Sequence, residues 1–326
     1  MRAIQIDRTG GPEVLTLVDL PVRDPGPGEV RIRHSAIGVN FIDTYFRSGL
    51  YAAKLPLVLG SEGAGVVEAV GPGVTHLSAG DRAAYAAKSP GSYAETRTLD
   101  ATAVVRLPDA IAYETAAAMM LKGLTVQYLL RRTAVFGGLN AGDPIVWHAA
   151  AGGVGLIACQ WAKALGLVVI GTAGSAEKCA LAKANGATHV IDYRTENVVA
   201  RVREITNGRG VKVVYDSVGK DTWEMSIDCL SPLGILVAFG NASGPVPPIS
   251  PLLLSQKGSL YLHRPTLNTH TSTREIVQQM ADELFDVVVS GKVTIDVGRT
   301  YRLEDVAQAH RDLEGRKTTG STILTL

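Results

Sequence analysis

His148-Ala149-Ala150-Ala151-Gly152-Gly153-Val154-Gly155 decides the fold of this 326-residue chain. A short apolar run, Pro144 to His148, leads into it, and a helical pattern over Val154 to Leu165 follows. Against a G-x-G-x-x-G turn the three slots hold Ala150, Gly152 and Gly155. A glycine in the middle slot lets the backbone approach a pyrophosphate, and one in the last slot lets the helix pack closely on its strand. The start of the helix offers free N–H groups and a partial positive charge to phosphates. An ordinary strand-to-helix turn also carries glycines, so the flanking sequence has to decide.

Outward from the turn the rhythm is strand, helix, strand, helix. Val168 to Thr172, His189 to Asp192, Val211 to Asp216, Ile235 to Phe239 and Ser259 to Leu262 have the pattern of strands, and Ala176 to Ala184 that of a helix. This alternation predicts parallel strands joined by right-handed helical crossovers, a doubly wound parallel sheet of the α/β class. After Pro265 the pattern gives a helix over Thr273 to Ser290, a short strand at Val293, a helix near Glu304 to Leu313 and a closing strand at Ser321 to Leu324. The N-terminal stretch is β-rich. Glu29 to Ala36 alternates Val30 and Ile32 against Arg31 and Arg33, and Gly65 to Val70 is a short apolar strand. Gly-Pro punctuation at Gly11-Pro12, Pro25 to Gly28 and Gly71 to Gly73 marks tight connections. Ile111 to Leu130 suits a buried helix, whole or broken.

Composition narrows the class. Hydrophobic residues at 46% and charged residues at 19% exclude a disordered or fibrous chain. Lys+Arg 32 against Asp+Glu 31 leaves a net charge of +1, so no bulk attraction to nucleic acid or to a membrane surface is expected. Cys159, Cys179 and Cys229 show no CxxC spacing, which rules out a four-cysteine zinc lobe and points to a reducing compartment. Met1 to Arg8 lacks the apolar run of a secretory signal, and no stretch approaches the roughly 20 apolar residues of a spanning helix. A cytoplasmic location is expected.

The cofactor follows from the end of the second strand, Gly171-Thr172-Ala173-Gly174-Ser175-Ala176-Glu177-Lys178. An NAD site usually presents an acid there for the ribose 2′-hydroxyl, whereas a 2′-phosphate needs cations and donors. No acid stands at the strand end, and Ser175 with Lys178 is suited to a phosphate. Glu177 is either a ribose acceptor or a solvated first-turn residue favoured by the helix dipole. NADPH is the expected cofactor.

From end to end the chain resembles the medium-chain dehydrogenase/reductase family, in its zinc-independent, ζ-crystallin-like quinone oxidoreductase subgroup. The stretches that carry the resemblance are GGPEVL (10–15), IGVNFIDTYFRSGLY (37–51), GSEGAGVV (60–67), GDR (80–82), LKGLTVQYLL (121–130), HAAAGGVGLIACQWAKALG (148–166), VVYDSVG (213–219) and FGNASG (239–244). It implies a Rossmann domain over 123–265, between two parts of a GroES-like β-rich catalytic domain, 1–122 and 266–326. It also implies a homodimer paired through the edge strands of the Rossmann domains, with Gly258 to Leu262 similar to that edge. Zinc-dependent relatives carry a GHE motif and a cysteine where this chain has Gly60-Ser61-Glu62 and Asn40, and a serine and an amide are poor zinc ligands. No metal is expected.

The same resemblance assigns the cofactor contacts. Asn40, Phe41, Ile42 and Asp43 resemble the loop at the nicotinamide end, and Thr125 a hydroxyl near it or else a helix-packing threonine. Gly152, Gly153 and Val154 would hold the pyrophosphate. Gly174, Ser175, Lys178 and Tyr193 resemble an adenosine phosphate pocket, with an interface aromatic as the alternative for Tyr193. Ser217, Phe239, Gly240 and Asn241 stand at strand ends where ligands of open α/β sheets collect. Arg264 and Arg316 resemble cofactor-side cations, their alternative being surface ion pairs. A small quinone taking a hydride develops oxyanion character, which Asn40, Tyr45 or Tyr51 would stabilise, with Arg47 a weaker candidate; each tyrosine is alternatively a wall residue. Two other functions fit the same scaffold: an NADPH-dependent enone or alkenal reductase, and an NADPH-binding protein with a structural or RNA-binding role.

Overall fold

A computed structural model describes residues 1–133 and 138–326. The chain divides into two units, one of Met1–Leu124, Thr271–Val289 and Ile295–Leu326, the other of Thr125–His270 and Ser290–Thr294.

The first unit is built on alternating strands. It opens with β1 (Arg2–Ile6), β2 (Thr16–Asp19), β3 (Glu29–Val39), α1 (Phe41–Ser48), β4 (Leu57–Val58), β5 (Glu62–Val70), β6 (Arg82–Ala86), β7 (Thr96–Asp100) and β8 (Val104–Arg106), followed by α2 (Tyr113–Arg132), within which the division falls. Val30 and Ile32 are fully buried, as the alternation in β3 requires, and they pack with Val67, Leu77, Tyr85 and Leu99. The helix expected from Ile111 to Leu130 forms unbroken as α2, with Ala116 to Met120 fully buried.

The second unit carries β9 (Pro144–Trp147), α3 (Gly153–Ala164), β10 (Val168–Ala173), α4 (Ala176–Ala184), β11 (His189–Asp192), α5 (Val198–Ile205), β12 (Val211–Asp216), α6 (Trp223–Cys229), β13 (Leu230–Ala238), α7 (Pro251–Gln256), β14 (Tyr261–His263) and α8 (Leu267–His270). Its six strands form one parallel sheet in the order β11-β10-β9-β12-β13-β14. The order reverses between β9 and β12, the switch point at which open α/β sheets bind ligands. Val146, Ile170, Val214 and Leu236 from four adjacent strands meet Val202, Trp223 and Ile227 from the crossover helices in one core. The edge strand β14 begins at Tyr261 rather than Ser259, because Ser259 sits at φ +56, outside the strand region.

The chain then returns to the first unit with α9 (Arg274–Val289), β15 (Val297–Arg302), α10 (Val306–Glu314) and β16 (Ser321–Thr325). β16 pairs antiparallel with β3, giving a seven-stranded sheet β15-β16-β3-β5-β6-β8 with β7 also on β3; β2-β1-β4 form a second, smaller sheet. The strand expected at Val293 does not form. Val293 is fully buried but lies in a bend, and the backbone of the adjoining Thr294 bonds to the Gln160 side chain through both its N–H (2.8 Å) and its carbonyl (2.9 Å). Burial there comes without a ladder.

Candidate active site

The glycine-rich turn is held tightly between β9 and α3. Gly152 is the N-cap of α3, and no side chain caps that end of the helix, so the first-turn N–H groups have no side-chain partner from the cap residue. A Cβ at Gly155 would lie 2.4 Å from the Ala149 carbonyl oxygen and 2.6 Å from that of Ala150. The last slot of the motif therefore has to be glycine for steric reasons. Alanine is accommodated in the first slot because β10 presents Gly171 opposite it, where a Cβ would come within 2.8 Å of the Ala150 methyl.

At the end of β10, a Cβ on Gly174 would meet the Tyr193 hydroxyl at 2.3 Å, so the phenol ring lies directly against Gly174. Ser175 caps α4, accepting from the Lys178 N–H at 3.3 Å, and this places Lys178 in the first turn beside it. Glu177 is exposed. Its own backbone N–H, then the Ser175 hydroxyl, hold its carboxyl below the usual range, which is the behaviour of a solvated first-turn acid. Across the switch point, a Cβ on Gly240 would sit 2.4 Å from the Ser217 carbonyl oxygen, and the Phe239 N–H donates to Asp216 at 2.8 Å. The Asn241 amide, oriented with its nitrogen toward the Gly240 carbonyl (3.0 Å), accepts from Arg264 at 3.3 Å. Phe239 packs on Trp147 with ring centroids 5.7 Å apart. Thr125 is buried in α2.

In the first unit, Asn40 to Asp43 is not a loop. Asn40 is the N-cap of α1, and Phe41, Ile42 and Asp43 form its first turn. The cause is a capping box, in which the Asp43 carboxylate accepts from the Asn40 backbone N–H at 2.9 Å. That carboxylate also takes Ser61 Oγ (2.7 Å) and Tyr93 Oη (2.9 Å), and burial nevertheless raises its pKa to about 6. The Asn40 side chain donates to Glu62 Oε1 at 2.7 Å. Glu62, fully buried, also accepts Lys122 Nζ at 2.8 Å and the Leu121 N–H at 2.7 Å. Glu62, Lys122, Tyr93 and His310 were not among the expected site residues. A lone Glu in the apolar GSEGAGVV and a lone Lys in a buried helical run were the available signals.

Tyr45 and Tyr51 meet edge to face at 5.2 Å, with Tyr51 also against Phe46 at 5.8 Å. Tyr45 is buried and Tyr51 half-buried. Arg47 is not available to a substrate: it is 3% exposed, paired with both Glu314 oxygens, donating to the Gly10 carbonyl and bonded to His310 at 3.0 Å. Arg316 is exposed at φ +57, in the turn after α10.

Two family models match the chain: the alcohol dehydrogenase GroES-like domain over residues 26–109 and the zinc-binding dehydrogenase over 153–286. The zinc implied by the second name does not fit the residues here. Asn40 and Ser61 offer an amide and a hydroxyl, each bonded to a carboxylate and neither a good zinc ligand, and among the described residues no three His, Cys, Asp or Glu gather as ligands. A quinone oxidoreductase of Pseudomonas aeruginosa is 56% identical over 324 residues, covering 99% of both chains. Quinone oxidoreductase 1 of Escherichia coli is 50% identical, covering 98% of both. The crystal structure of an Escherichia coli quinone oxidoreductase complexed with NADPH superposes with a TM-score of 0.97 at 49% identity, covering 100% of both. With identity at this level sustained from end to end, the chain belongs to the medium-chain dehydrogenase/reductase family, among its zinc-independent quinone oxidoreductases.

Proposed function

We propose that this chain is an NADPH-dependent quinone reductase that works without a metal. The observation that carries it is the full-length identity to quinone oxidoreductases together with a dinucleotide turn whose last glycine, Gly155, is sterically required. The quinone activity stands ahead of enone reduction because the relatives at 50–56% identity are quinone oxidoreductases.

NADPH, when bound, supplies a hydride; with one proton from solvent this converts a quinone to its hydroquinone. The chain's own task is to bind and orient. Gly152, Gly153 and Val154 present the start of α3 to the pyrophosphate. Gly174, Ser175, Lys178 and Tyr193 form the 2′-phosphate pocket, where the absence of a Cβ at Gly174 leaves the Tyr193 hydroxyl against the backbone. Ser217, Phe239, Gly240, Asn241 and Arg264 line the switch point, and Thr125, Phe41, Ile42 and Asp43 serve the nicotinamide end, with Arg316 a further cation for the phosphates. Asn40, Tyr45 and Tyr51 are the donors for the developing quinone oxyanion. Asn40 is the strongest of them, since Glu62 and the capping box fix both its amide and its backbone.

Tyr261 and Leu262 on the edge strand β14 are 38% and 42% exposed, an apolar edge that a second copy would cover by strand pairing; we infer a homodimer on that ground. Among the described residues no helix is long and apolar enough to cross a membrane, and Cys159, Cys179 and Cys229 are unpaired, which favours the cytoplasm. The test is anaerobic oxidation of NADPH and of NADH with benzoquinone, naphthoquinone and an enone. Quinone-dependent turnover that prefers NADPH supports the assignment. Enone turnover alone, or binding without turnover, removes it. Lys178→Ala should weaken NADPH far more than NADH; equal loss for both would remove the phosphate pocket.

A further inference from the structure

The imidazole of His148 stands wholly buried at the first residue of the glycine-rich turn and takes no part in the reaction described above. Its Nδ1 lies 2.9 Å from Thr172 Oγ1 on β10, and its Nε2 3.0 Å from Ser226 Oγ on α6. Ser226 in turn donates to Asp216 Oδ2 at 2.7 Å, at the end of β12. A serine has one proton to give, so Ser226 accepts from Nε2–H, and Nδ1 accepts from the Thr172 hydroxyl. The chain of donors therefore runs in one direction, Thr172 to His148 to Ser226 to Asp216. Every buried polar atom of the imidazole is satisfied with the ring neutral. Burial lowers the pKa of His148, against the opposite pull of Asp216.

The backbone repeats the arrangement. The His148 N–H donates to Tyr215 on β12 at 3.1 Å and the Ala150 N–H to Thr172 on β10 at 3.0 Å. Asp216 passes the order on, accepting the Val218 and Gly219 N–H groups at 2.8 and 3.1 Å and the Thr222 hydroxyl. One side chain thus ties together the C-terminal ends of the three adjacent strands β10, β9 and β12. These ends lead into the 2′-phosphate pocket, the pyrophosphate turn and Ser217 respectively.

We propose that His148 is a positioning residue for the dinucleotide site: through Thr172 and Ser226 it fixes the three strand ends at the spacing the cofactor requires. The turn needs such support because Ala149 holds φ +54, a conformation an alanine does not favour. The inference rests on the reading of this turn as the NADPH site, and it makes His148 act on cofactor affinity and not on the chemistry.

The experiment is a fluorescence titration of the full-length protein with NADPH and with NADH, alongside kcat at saturating NADPH and the quinone KM. His148→Ala should raise the NADPH Kd about tenfold or more, by leaving Thr172 and Ser226 without their buried partner. Thr172→Val, which keeps the shape and removes the hydroxyl, should raise it about threefold to tenfold, and Ser226→Ala similarly. His148→Gln restores a donor toward Ser226 and should recover part of the loss. In each variant kcat at saturation and the quinone KM should stay within about twofold of the parent. If His148→Ala does not fold, Thr172→Val and Ser226→Ala decide alone. Unchanged NADPH affinity in those two variants overturns the proposal, as does a fall in kcat at unchanged Kd. Failure of the parent protein to bind NADPH would instead overturn the assignment of the turn.

Discussion

Asn40 Nδ2 and Lys122 Nζ share one acceptor, Glu62 Oε1, at 2.7 and 2.8 Å. The glutamate is fully buried and the lysine nearly so, with side-chain exposures of 0% and 7%. A buried pair of this kind is costly to break from one side, because the partner left behind is an unpaired charge in the interior. Glu62→Gln should therefore destabilise the protein by about 3–5 kcal/mol by stranding Lys122. Asn40→Ala removes no charge and should lower the melting temperature far less, while reducing kcat/KM for quinone about tenfold or more through the lost oxyanion donor. Differential scanning calorimetry and steady-state rates separate the two effects. An Asn40→Ala enzyme with parental kcat/KM would take Asn40 out of the reaction.

Two other buried histidines give stability a pH dependence with a definite sign. Burial, opposed by the Ala94 carbonyl and reinforced by Arg97, lowers His34 to about 4. Burial and then Arg47 lower His310 to about 3. Both folded values lie below the ordinary 6.5, so the unfolded chain binds the protons first. Their contribution is complete above pH 6.5 and declines as the pH falls toward 4 and 3, by about 1.4 kcal/mol per pH unit for each. Asp43 acts in the opposite sense, raised from 3.8 to about 6, so its share is present at low pH and is lost as the pH rises through that window. Two groups outweigh one, and the melting temperature should fall between pH 6.5 and 4. His34→Gln should flatten that slope. A parent melting temperature constant from pH 7 to 4.5 would mean that at least one of the two histidines is not held neutral, since a single neutral histidine would only balance Asp43.

What was legible in the sequence was what local periodicity and turn chemistry control. The six parallel strands and the glycine-rich turn were evident because β-strand runs punctuated by glycine repeat through 144–263. The crossover helices α5 and α6 were not evident. They are only eight and seven residues long, too short for a helical period to stand out, and tertiary packing of Val198, Val202, Trp223 and Ile227 against the sheet holds them in place. Val293 read as a strand because burial and strand pairing look alike in sequence, whereas Gln160, more than a hundred residues away, takes up the adjacent backbone groups. In the first unit, the family resemblance singled out Asn40 and Asp43 as part of a loop, but not the helix that they start. Arg47 looked like an available cation because Glu314 and His310, its partners, lie far along the chain.

Gly155 and Gly174 meet comparably short contacts, yet alanine at the two positions should behave differently. At Gly155 the obstacles are two backbone carbonyl oxygens of the turn, at 2.4 and 2.6 Å, which move only if the turn and α3 separate. Gly155→Ala should therefore destabilise the second unit by about 1–3 kcal/mol and weaken NADPH and NADH together, since both carry the pyrophosphate. At Gly174 the obstacle is the tip of Tyr193, a residue that is 41% exposed and can swing toward solvent. Gly174→Ala should leave the melting temperature almost unchanged and cost affinity for NADPH only, by displacing Tyr193 from the 2′-phosphate pocket. Thermal melts with NADPH and NADH titrations of both variants check the contrast. A Gly174→Ala protein that loses the two cofactors equally would separate Tyr193 from the 2′-phosphate and return it to a role on the surface of the second unit.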